Sequence, residues 1–143
     1  MYLLDTNVVS ELRKVRSGKA DANVARWSEQ ADAAELFISV IVLQELEIGV
    51  LLTERRDPTQ GRILRLWLEN HVLPSFSGRT LPVDTEVARL SARLYVPDPR
   101  PVRDALIAAT AIVHGMTVVT RNRQDFTPTG VPVLDPWTDR DRE

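Results

Sequence analysis

Several residue types are scarce in this chain of 143 residues. Cysteine is absent, which excludes disulfide bonds and metal sites built on thiolates. No apolar run approaches the roughly 20 residues that a membrane-spanning helix needs, and no signal-like segment opens the chain. We therefore expect a cytoplasmic protein with a single domain over residues 1–143, in which residues 139–143 form a frayed, fully charged tail.

A strong excess of positive charge is also missing. The formal net charge is −2, whereas domains that bind nucleic acids are usually basic, so the overall charge disfavours that class. Lysine is rare, because 16 of the 18 basic residues are arginine. Arginine pairs bidentately with phosphate and lysine does not, but a coding bias toward arginine would give the same composition. Both explanations stay open.

Short apolar runs alternate with stretches of helical periodicity, which predicts an α/β fold with a mostly parallel sheet flanked by helices. The predicted strands cover residues 2–4, 36–39, 81–83, 116–120 and 131–134. The predicted helices cover residues 7–16, 21–31, 41–54, 57–72, a stretch after Asp84, and 101–115. We expect Thr6 or Asn7 to cap the first helix, Asp57 and Asp84 to cap later ones, and residues 121–128 to form a loop.

Four acidic residues stand where strands end or within helices that pack there. Asp5 follows the first strand, and Asp125 follows the strand that ends near Thr120. Asp104 lies in the first turn of its helix, and Glu45 lies inside an apolar helix. Each alone has an ordinary explanation as a cap, a first-turn acid or a loop residue. Because the carboxyl ends of parallel strands meet at one edge of a sheet, we expect the four side chains to converge.

Glu45 shares one helix face with Ile41, Ile48 and Leu52, and we predict that this face points into the protein. A buried, unpaired carboxylate is costly, so Glu45 needs a cation or hydrogen bonds to compensate it. Gly49, one turn further on, would let another backbone approach closely. The alternative is a glutamate at the rim of the apolar face, paired with an arginine.

Clustered carboxylates favour a hard divalent cation, and Mg²⁺ or Mn²⁺ prefers oxygen ligands. Such a cation lowers the pKa of a coordinated water and stabilises the charge that develops on a phosphate. The residues therefore predict a small metal-dependent nuclease. Thr6 or Asn7 could hydrogen-bond a metal ligand, and Arg121 and Arg123 could contact RNA phosphates, although a solvated loop would also contain such arginines.

Four motifs carry a resemblance to a known family. They are LDTN at residues 4–7, ELEIG at 45–49, DALIAA at 104–109 and TRNRQDF at 120–126. In this order and spacing, over nearly the whole chain, they resemble PIN-domain ribonucleases. More narrowly, they resemble the VapC-type toxins of bacterial toxin–antitoxin pairs, and within these the FitB-like subgroup.

The resemblance implies a three-layer α/β/α sandwich with an acidic pocket that holds Mg²⁺ or Mn²⁺. It implies that Asp5, Glu45, Asp104 and Asp125 are both the catalytic and the metal-binding residues. The same resemblance implies that Thr120 and Asn122 support the pocket. It further implies an RNA substrate, a homodimer and a cognate antitoxin protein through which operator DNA is bound.

Other functions remain as alternatives. A phosphatase of the haloacid-dehalogenase type or a response-regulator receiver also begins with an aspartate at a strand end, but both need a downstream lysine. Here the lysines are Lys14 and Lys19, near the first helix. His71 and His114 fit structural roles, and no cysteine is present for a nucleophile. A PIN-like module that has lost catalysis and regulates a partner is the remaining alternative.

Overall fold

A parallel sheet of five strands forms the centre of the computed structural model, which describes residues 1–138. The strands lie in the order β3-β2-β1-β4-β5, and every neighbouring pair is parallel. The strands are β1 Tyr2–Leu4, β2 Leu36–Ser39, β3 Thr80–Leu81, β4 Thr117–Val119 and β5 Val133–Leu134. The predicted parallel sheet is confirmed, and the predicted frayed tail at 139–143 lies outside the described residues.

Helices flank the sheet and connect its strands, as the α/β/α expectation requires. They are α1 Thr6–Leu12, α2 Ala22–Gln30, α3 Val40–Arg56, α4 Pro58–Trp67, α5 Leu73–Ser75, α6 Thr85–Arg93, α7 Val102–His114 and α8 Arg123–Phe126. A π-helical turn, Leu68–Val72, joins α4 to α5. Within residues 1–138, no helix is both long and apolar enough to cross a membrane.

The core lies between the sheet and its helices. Its fully buried side chains include Leu3 and Leu4 of β1, Ile38 of β2, Ile107 of α7 and Phe126 of α8. Buried residues of β1, β2 and β4 join those of the helices in one apolar cluster. Removal of this apolar surface from water is the main favourable contribution to folding.

Polar side chains begin most of the helices. Asp21, Ser39, Asp57 and Asp84 each accept hydrogen bonds from backbone N–H groups in the first turn of α2, α3, α4 and α6. These bonds satisfy donors that have no partner inside the helix. The predicted caps at Asp57 and Asp84 are thereby confirmed, and α7 ends as predicted at Gly115, whose φ of 67° is left-handed.

The first helix differs from its prediction at both ends. We predicted residues 7–16 with Thr6 or Asn7 as the cap, but α1 is Thr6–Leu12 and its cap is Asp5. The Asp5 side chain accepts the Thr6 N–H, so the residue that ends β1 also starts the helix. After Leu12 the chain turns, because the N–H groups that follow bond to carbonyls only three residues back.

The predicted loop at 121–128 is also wrong. Residues Arg123–Phe126 form α8, and a 3₁₀ turn, Thr127–Thr129, follows it. Phe126 is completely buried and anchors the segment to the core. The Asp125 N–H donates to the carbonyl of Asn122 and closes the first turn. A short polar run therefore becomes helical because one aromatic residue holds its end in place.

The predicted inward face of α3 is not the buried one. The helix packs through Val42, Leu46 and Val50, whereas Ile48 and Leu52 are 37% and 60% exposed. Both stripes are apolar, and only contact with the sheet selects between them. Glu45 lies at the border of the buried stripe, with 25% of its side chain exposed.

A close backbone approach occurs at Gly61 of α4 and not at Gly49. A Cβ atom at Gly61 would lie 2.7 Å from the backbone nitrogen of Glu54 in α3, whereas nothing lies within 4 Å of one at Gly49. The same two helices are bridged by Arg65, whose guanidinium pairs with Glu54 at 3.0 Å. The contact between α3 and α4 therefore depends on the missing side chain at Gly61.

Gly61→Ala is expected to lower the free energy of unfolding by about 1–3 kcal/mol, because the helix backbones would have to separate. Gly49→Ala is the matched control. It should raise stability by roughly 0.5–1 kcal/mol, since alanine is the better helix former at an open position. Urea denaturation of both variants measures this, and equal effects would contradict the close approach.

Candidate metal centre

Asp5 lies at the carboxyl end of β1, where it is only 6% exposed. One carboxylate oxygen accepts the Thr6 N–H at 2.8 Å, and the other accepts the Thr120 hydroxyl at 2.8 Å. Burial raises the pKa of Asp5 above its usual value, and the hydrogen bonds from Thr120 and Thr6 oppose that rise. The negative charges of Glu45 and Asp125 raise the pKa further. Asp5 is thus held rigidly in a site with other acids nearby.

Asp104 lies in the first turn of α7, as predicted. Its pKa is raised to about 6, first by burial and then by the charges of Asp5, Asp125 and Glu45, while Arg103 opposes the rise. An acid in a first turn would ordinarily have a lowered pKa because of the helix dipole. The reversal shows that burial, together with the smaller repulsion from the other three acids, outweighs that effect.

Glu45 reaches the site from α3. One of its oxygens accepts the Thr6 hydroxyl at 2.6 Å, and the other lies 3.8 Å from Nε of Arg103. The Arg103 side chain is 49% exposed, so this ion pair lies at the rim of the site. The sequence suggested a cation, hydrogen bonds or an arginine at the rim, and the structure contains a hydrogen bond and the arginine together.

Asp125 lies in α8 and is exposed. Its relation to the centre is electrostatic, because its negative charge contributes to raising the pKa of both Asp5 and Asp104. The structure therefore brings the four predicted acids into one electrostatically coupled group. Asp5 is the most buried member and Asp125 the most open.

The supporting residues form a polar network around Asp5. The Asn7 side chain donates to Asp5 and to Thr120 at 3.4 Å each and accepts the Arg121 N–H at 3.2 Å. The Asn122 N–H donates to the hydroxyl of Thr120 at 3.0 Å. Thr120 is completely buried and so orients both Asp5 and the loop that leads to Asp125.

This donor set fits a hard divalent cation. It consists of carboxylate oxygens, and the pKa values of Asp5 and Asp104 are raised first by burial and then by repulsion from the other acids, both of which a bound cation would offset. Within residues 1–138, however, no three acidic or histidine side chains are already grouped as closely as metal ligands. A bound cation would therefore have to draw the more open acids, Glu45 and Asp125, toward Asp5 and Asp104.

Comparison with known proteins agrees with this geometry. Residues 2–129 match the family described as the PIN domain. The chain belongs to the PIN-domain family. The VapC ribonuclease Y4jK of Sinorhizobium fredii is 35% identical to it, over 96% of this chain and 98% of the relative. The toxin FitB of Neisseria gonorrhoeae is also 35% identical, over 97% of this chain and 100% of the relative.

Solved structures agree with these sequence relatives. The crystal structure of FitAcB from Neisseria gonorrhoeae has a TM-score of 0.87 and 33% identity, covering 97% of this chain and 100% of the other. A toxin–antitoxin complex from Klebsiella pneumoniae has a TM-score of 0.65 and 26% identity, covering 95% and 98%. The resemblance to VapC-type and FitB-like PIN domains is confirmed.

The two arginines of the loop predicted to contact RNA have different surroundings in this PIN domain. Arg121 lies with its guanidinium carbon 5.2 Å from the centre of the Trp137 ring, while Arg123 is exposed at the start of α8. Contact with RNA phosphates remains a prediction for both. Sequence reasoning missed Arg103 and Trp137. The position of Arg103 next to Asp104 was a signal for the first, whereas Trp137 joins the site only through folding.

The histidines lie away from the acids. His71 lines an apolar groove together with Trp67 and Phe76, and His114 is exposed in the last turn of α7. Neither contributes to the raised pKa values of Asp5 and Asp104. Both side chains are exposed, so their structural roles remain a prediction.

Thr120→Val is expected to cost about 1–3 kcal/mol of stability, because Asp5 and the Asn122 N–H lose a buried partner. Since the Thr120 hydroxyl lowers the pKa of Asp5, its loss should raise that pKa further. Any metal-dependent activity should then fall roughly tenfold, with its acid limb moved to higher pH. Thr120→Ser keeps the hydroxyl and should behave like the wild type. A valine variant with the same pH profile as the wild type would contradict the role of the hydroxyl.

Proposed function

We propose that this PIN domain is a metal-dependent endoribonuclease and the toxin of a toxin–antitoxin pair. The observation that carries the proposal is the grouping of Asp104 with Asp5, Asp125 and Glu45 at the end of β1, close enough that their charges add to burial in raising the pKa of Asp104. The proposal is further supported by relatives named as a VapC ribonuclease and as the toxin FitB. Acids that repel one another at the carboxyl edge of a parallel sheet lower the stability of the folded protein. Such a group is typical of a functional site.

The four acids are assigned as ligands of Mg²⁺ or Mn²⁺. When bound, the cation supplies Lewis-acid stabilisation of charge on the phosphate and makes water more acidic near neutral pH. Thr120 and Asn7 fix the carboxylate of Asp5 by hydrogen bonds. Thr6 fixes that of Glu45. These positioning contacts hold the negative charge in place before substrate arrives.

Arginines at the rim offset the negative charge that an RNA strand would meet. Arg103 is half-exposed beside Glu45, and Arg123 is exposed two residues before Asp125 in α8. Arginine binds phosphate through a planar fork of donors, so both are suited to hold an RNA strand near the acids. The net charge of −2 is then compatible with RNA binding, because a divalent cation offsets two of the four negative charges in the site while the arginines remain.

The partners in this proposal are a cognate antitoxin and a second copy of the chain, with operator DNA bound through the antitoxin. Related solved structures are described as FitAB bound to an IR36 DNA fragment and as a toxin–antitoxin complex. Exposed apolar side chains on α3 and α4 supply surface for such partners. They are Ile48, Leu51, Leu52, Ile63 and Leu66. A cytoplasmic location belongs to the same proposal, since RNA is the substrate.

A second apolar surface is separate from the acids. A groove of about 230 Å³ is lined by apolar side chains from α1, β2 and the helical segment after Pro58, and by Arg13 and Arg79 at its edge. Its larger apolar residues are Val9, Leu12, Leu36, Trp67, Val72 and Phe76. In the proposal, the antitoxin or the second protomer covers one of these two apolar surfaces. The four acids are then either blocked or left exposed to RNA.

The test is cleavage of a panel of transfer, ribosomal and messenger RNAs by the purified protein, with Mg²⁺, Mn²⁺ or EDTA. The proposal predicts cleavage at discrete sites with either metal and none with EDTA. Cleavage that persists in EDTA would point to a contaminating nuclease or a metal-free mechanism. If no RNA is cut and metals leave the melting temperature unchanged, the chain is a catalytically inactive binding module.

A further inference from the structure

A tryptophan and an arginine are stacked beside the metal centre. The guanidinium carbon of Arg121 lies 5.2 Å from the centre of the Trp137 ring, within the range of a cation–π contact. Arg121 is exposed, whereas Trp137 is half-buried and packs against the core. The arginine therefore covers the ring and presents its outer side to solvent.

Trp137 is fixed in place by its own backbone. Its N–H donates to the Asp135 side chain at 2.9 Å, and its carbonyl accepts the side chain of Asn23 at 2.7 Å. Asn23 belongs to α2, so this hydrogen bond joins the segment after β5 to a helix in the N-terminal part of the chain. The ring is thus a rigid support, and a rigid support lowers the entropy lost when a ligand stacks on it.

A short chain of hydrogen bonds connects this pair to the acids. The backbone N–H of Arg121 donates to the side chain of Asn7 at 3.2 Å, and the same side chain donates to Asp5 and Thr120. Arg121 also follows Thr120 directly in sequence. A nucleotide bound over Arg121 would therefore lie next to a phosphate held at the acids.

The charge of Arg121 is already partly balanced. The carboxylate of Glu11 lies near enough that Arg121 contributes to lowering its pKa, after the larger effects of the Asp21 N–H and of Lys14. An arginine whose guanidinium lies over an aromatic ring is less available as a phosphate ligand than a free one. A planar guanidinium on an aromatic ring is, however, a surface on which unstacked RNA bases commonly pack.

We propose that Arg121, supported by Trp137, forms a stacking subsite for one nucleobase of single-stranded RNA beside the scissile phosphate. The inference rests on the proposed ribonuclease function and adds to it the part of the substrate that is bound. In this inference the side chain of Arg121 contacts a base of the RNA and not, as the sequence had suggested, a phosphate. The subsite requires an unpaired base, so it favours loops and single strands over duplex RNA.

The test separates the contribution of the planar guanidinium of Arg121 to RNA binding from the contribution of its positive charge. Binding of a fluorescein-labelled, single-stranded RNA 12-mer is measured by anisotropy over a range of salt, in an Asp104→Asn background that limits cleavage. Arg121→Lys keeps the charge and loses the plane, and should weaken binding about tenfold with an unchanged salt slope. Arg89→Lys is the matched control on the exposed side of α6, and should bind like its parent.

An abasic nucleotide, moved along the 12-mer, identifies the base. One abasic position should weaken binding to the parent protein about tenfold and should cause no further loss with Arg121→Lys. Trp137→Leu should match Arg121→Lys, while Trp137→Phe keeps an aromatic ring and should lose about threefold or less. Thermal melts check that these variants are folded, and Arg121→Lys, being at the surface, remains decisive if the leucine variant unfolds.

Three outcomes would overturn the subsite. They are binding by Arg121→Lys within twofold of the parent, equal affinity for every abasic 12-mer, and the absence of RNA binding by the parent protein. Failure of the nuclease proposal is recognised separately, by the cleavage assay with wild-type protein and Mn²⁺. Abasic-sensitive binding without cleavage would support the subsite and reject the nuclease.

Discussion

Asp104→Asn is expected to reduce metal-dependent RNA cleavage on the order of a thousandfold. Even residues that only orient a metal ligand typically contribute roughly 10- to 100-fold, and Asp104 is assigned as a ligand itself. The loss should fall mainly on kcat, since phosphate contacts by arginines would remain. Single-turnover cleavage at saturating protein measures it. Asp98→Asn, at an exposed aspartate of the connector before α7, is the matched control and should retain full activity.

The same substitution should make the metal-free protein more stable, which separates loss of chemistry from loss of folding. The pKa of Asp104 is raised to about 6 by burial and by its acidic neighbours. Above that pH the charged form is disfavoured in the folded protein, so asparagine should gain about 1 kcal/mol after allowance for solvent screening of a half-exposed group. A variant that cleaves within tenfold of the wild type would remove Asp104 from the centre.

Saturating Mn²⁺ is expected to raise the melting temperature by roughly 8 °C at pH 7.5. A ligand at one hundred times its Kd stabilises the folded state by about 2.7 kcal/mol, and a domain of this size gains about 3 °C per kcal/mol. The gain comes from relieving the repulsion among Asp5, Glu45, Asp104 and Asp125. Differential scanning fluorimetry with MnCl₂ or EDTA measures the shift. A shift below 1 °C at millimolar metal would contradict the assignment.

The shift should also depend on pH in a defined direction. Because the folded-state pKa of Asp104 is about 6 and the usual value is 3.8, the folded protein binds more protons than the unfolded chain between these values. The metal-free protein therefore gains stability from this group as pH falls from 7 toward 4. Protonation opposes metal binding over the same range, so the Mn²⁺ shift should shrink below pH 6. An undiminished shift at pH 5 would place the metal elsewhere.

Local signals were enough to predict much of the fold. Strand β2 was predicted at its observed bounds because Leu36–Ser39 is a short, mostly apolar run that is followed almost directly by a helix. The start of α4 followed from Asp57 and Pro58, and the end of α7 from Gly115. Parallel pairing then brought Asp5 toward Asp104 and Asp125, as expected from the alternation of strands and helices.

Other features depended on contacts that a sequence does not reveal. Helix α3 carries two apolar stripes, and only packing against the sheet selects Val42 and Val50 for the core. The N-cap of α1 was predicted wrongly because Asp5 has three roles at once. It follows β1, caps α1 and belongs to the acidic group. Trp137 is sixteen residues from Arg121 along the chain and reaches it only because β5 lies beside β4.

The central claim is that Asp5, Glu45, Asp104 and Asp125 together hold the divalent cation used to cut RNA. Anomalous diffraction from crystals grown with MnCl₂ tests it most directly, with Asp104→Asn crystals as the control. The account predicts a strong manganese peak bounded by these carboxylates in the wild type and a weaker one in the variant. A peak elsewhere on a protein that cuts RNA with Mn²⁺, or an equal peak in the variant, would contradict it.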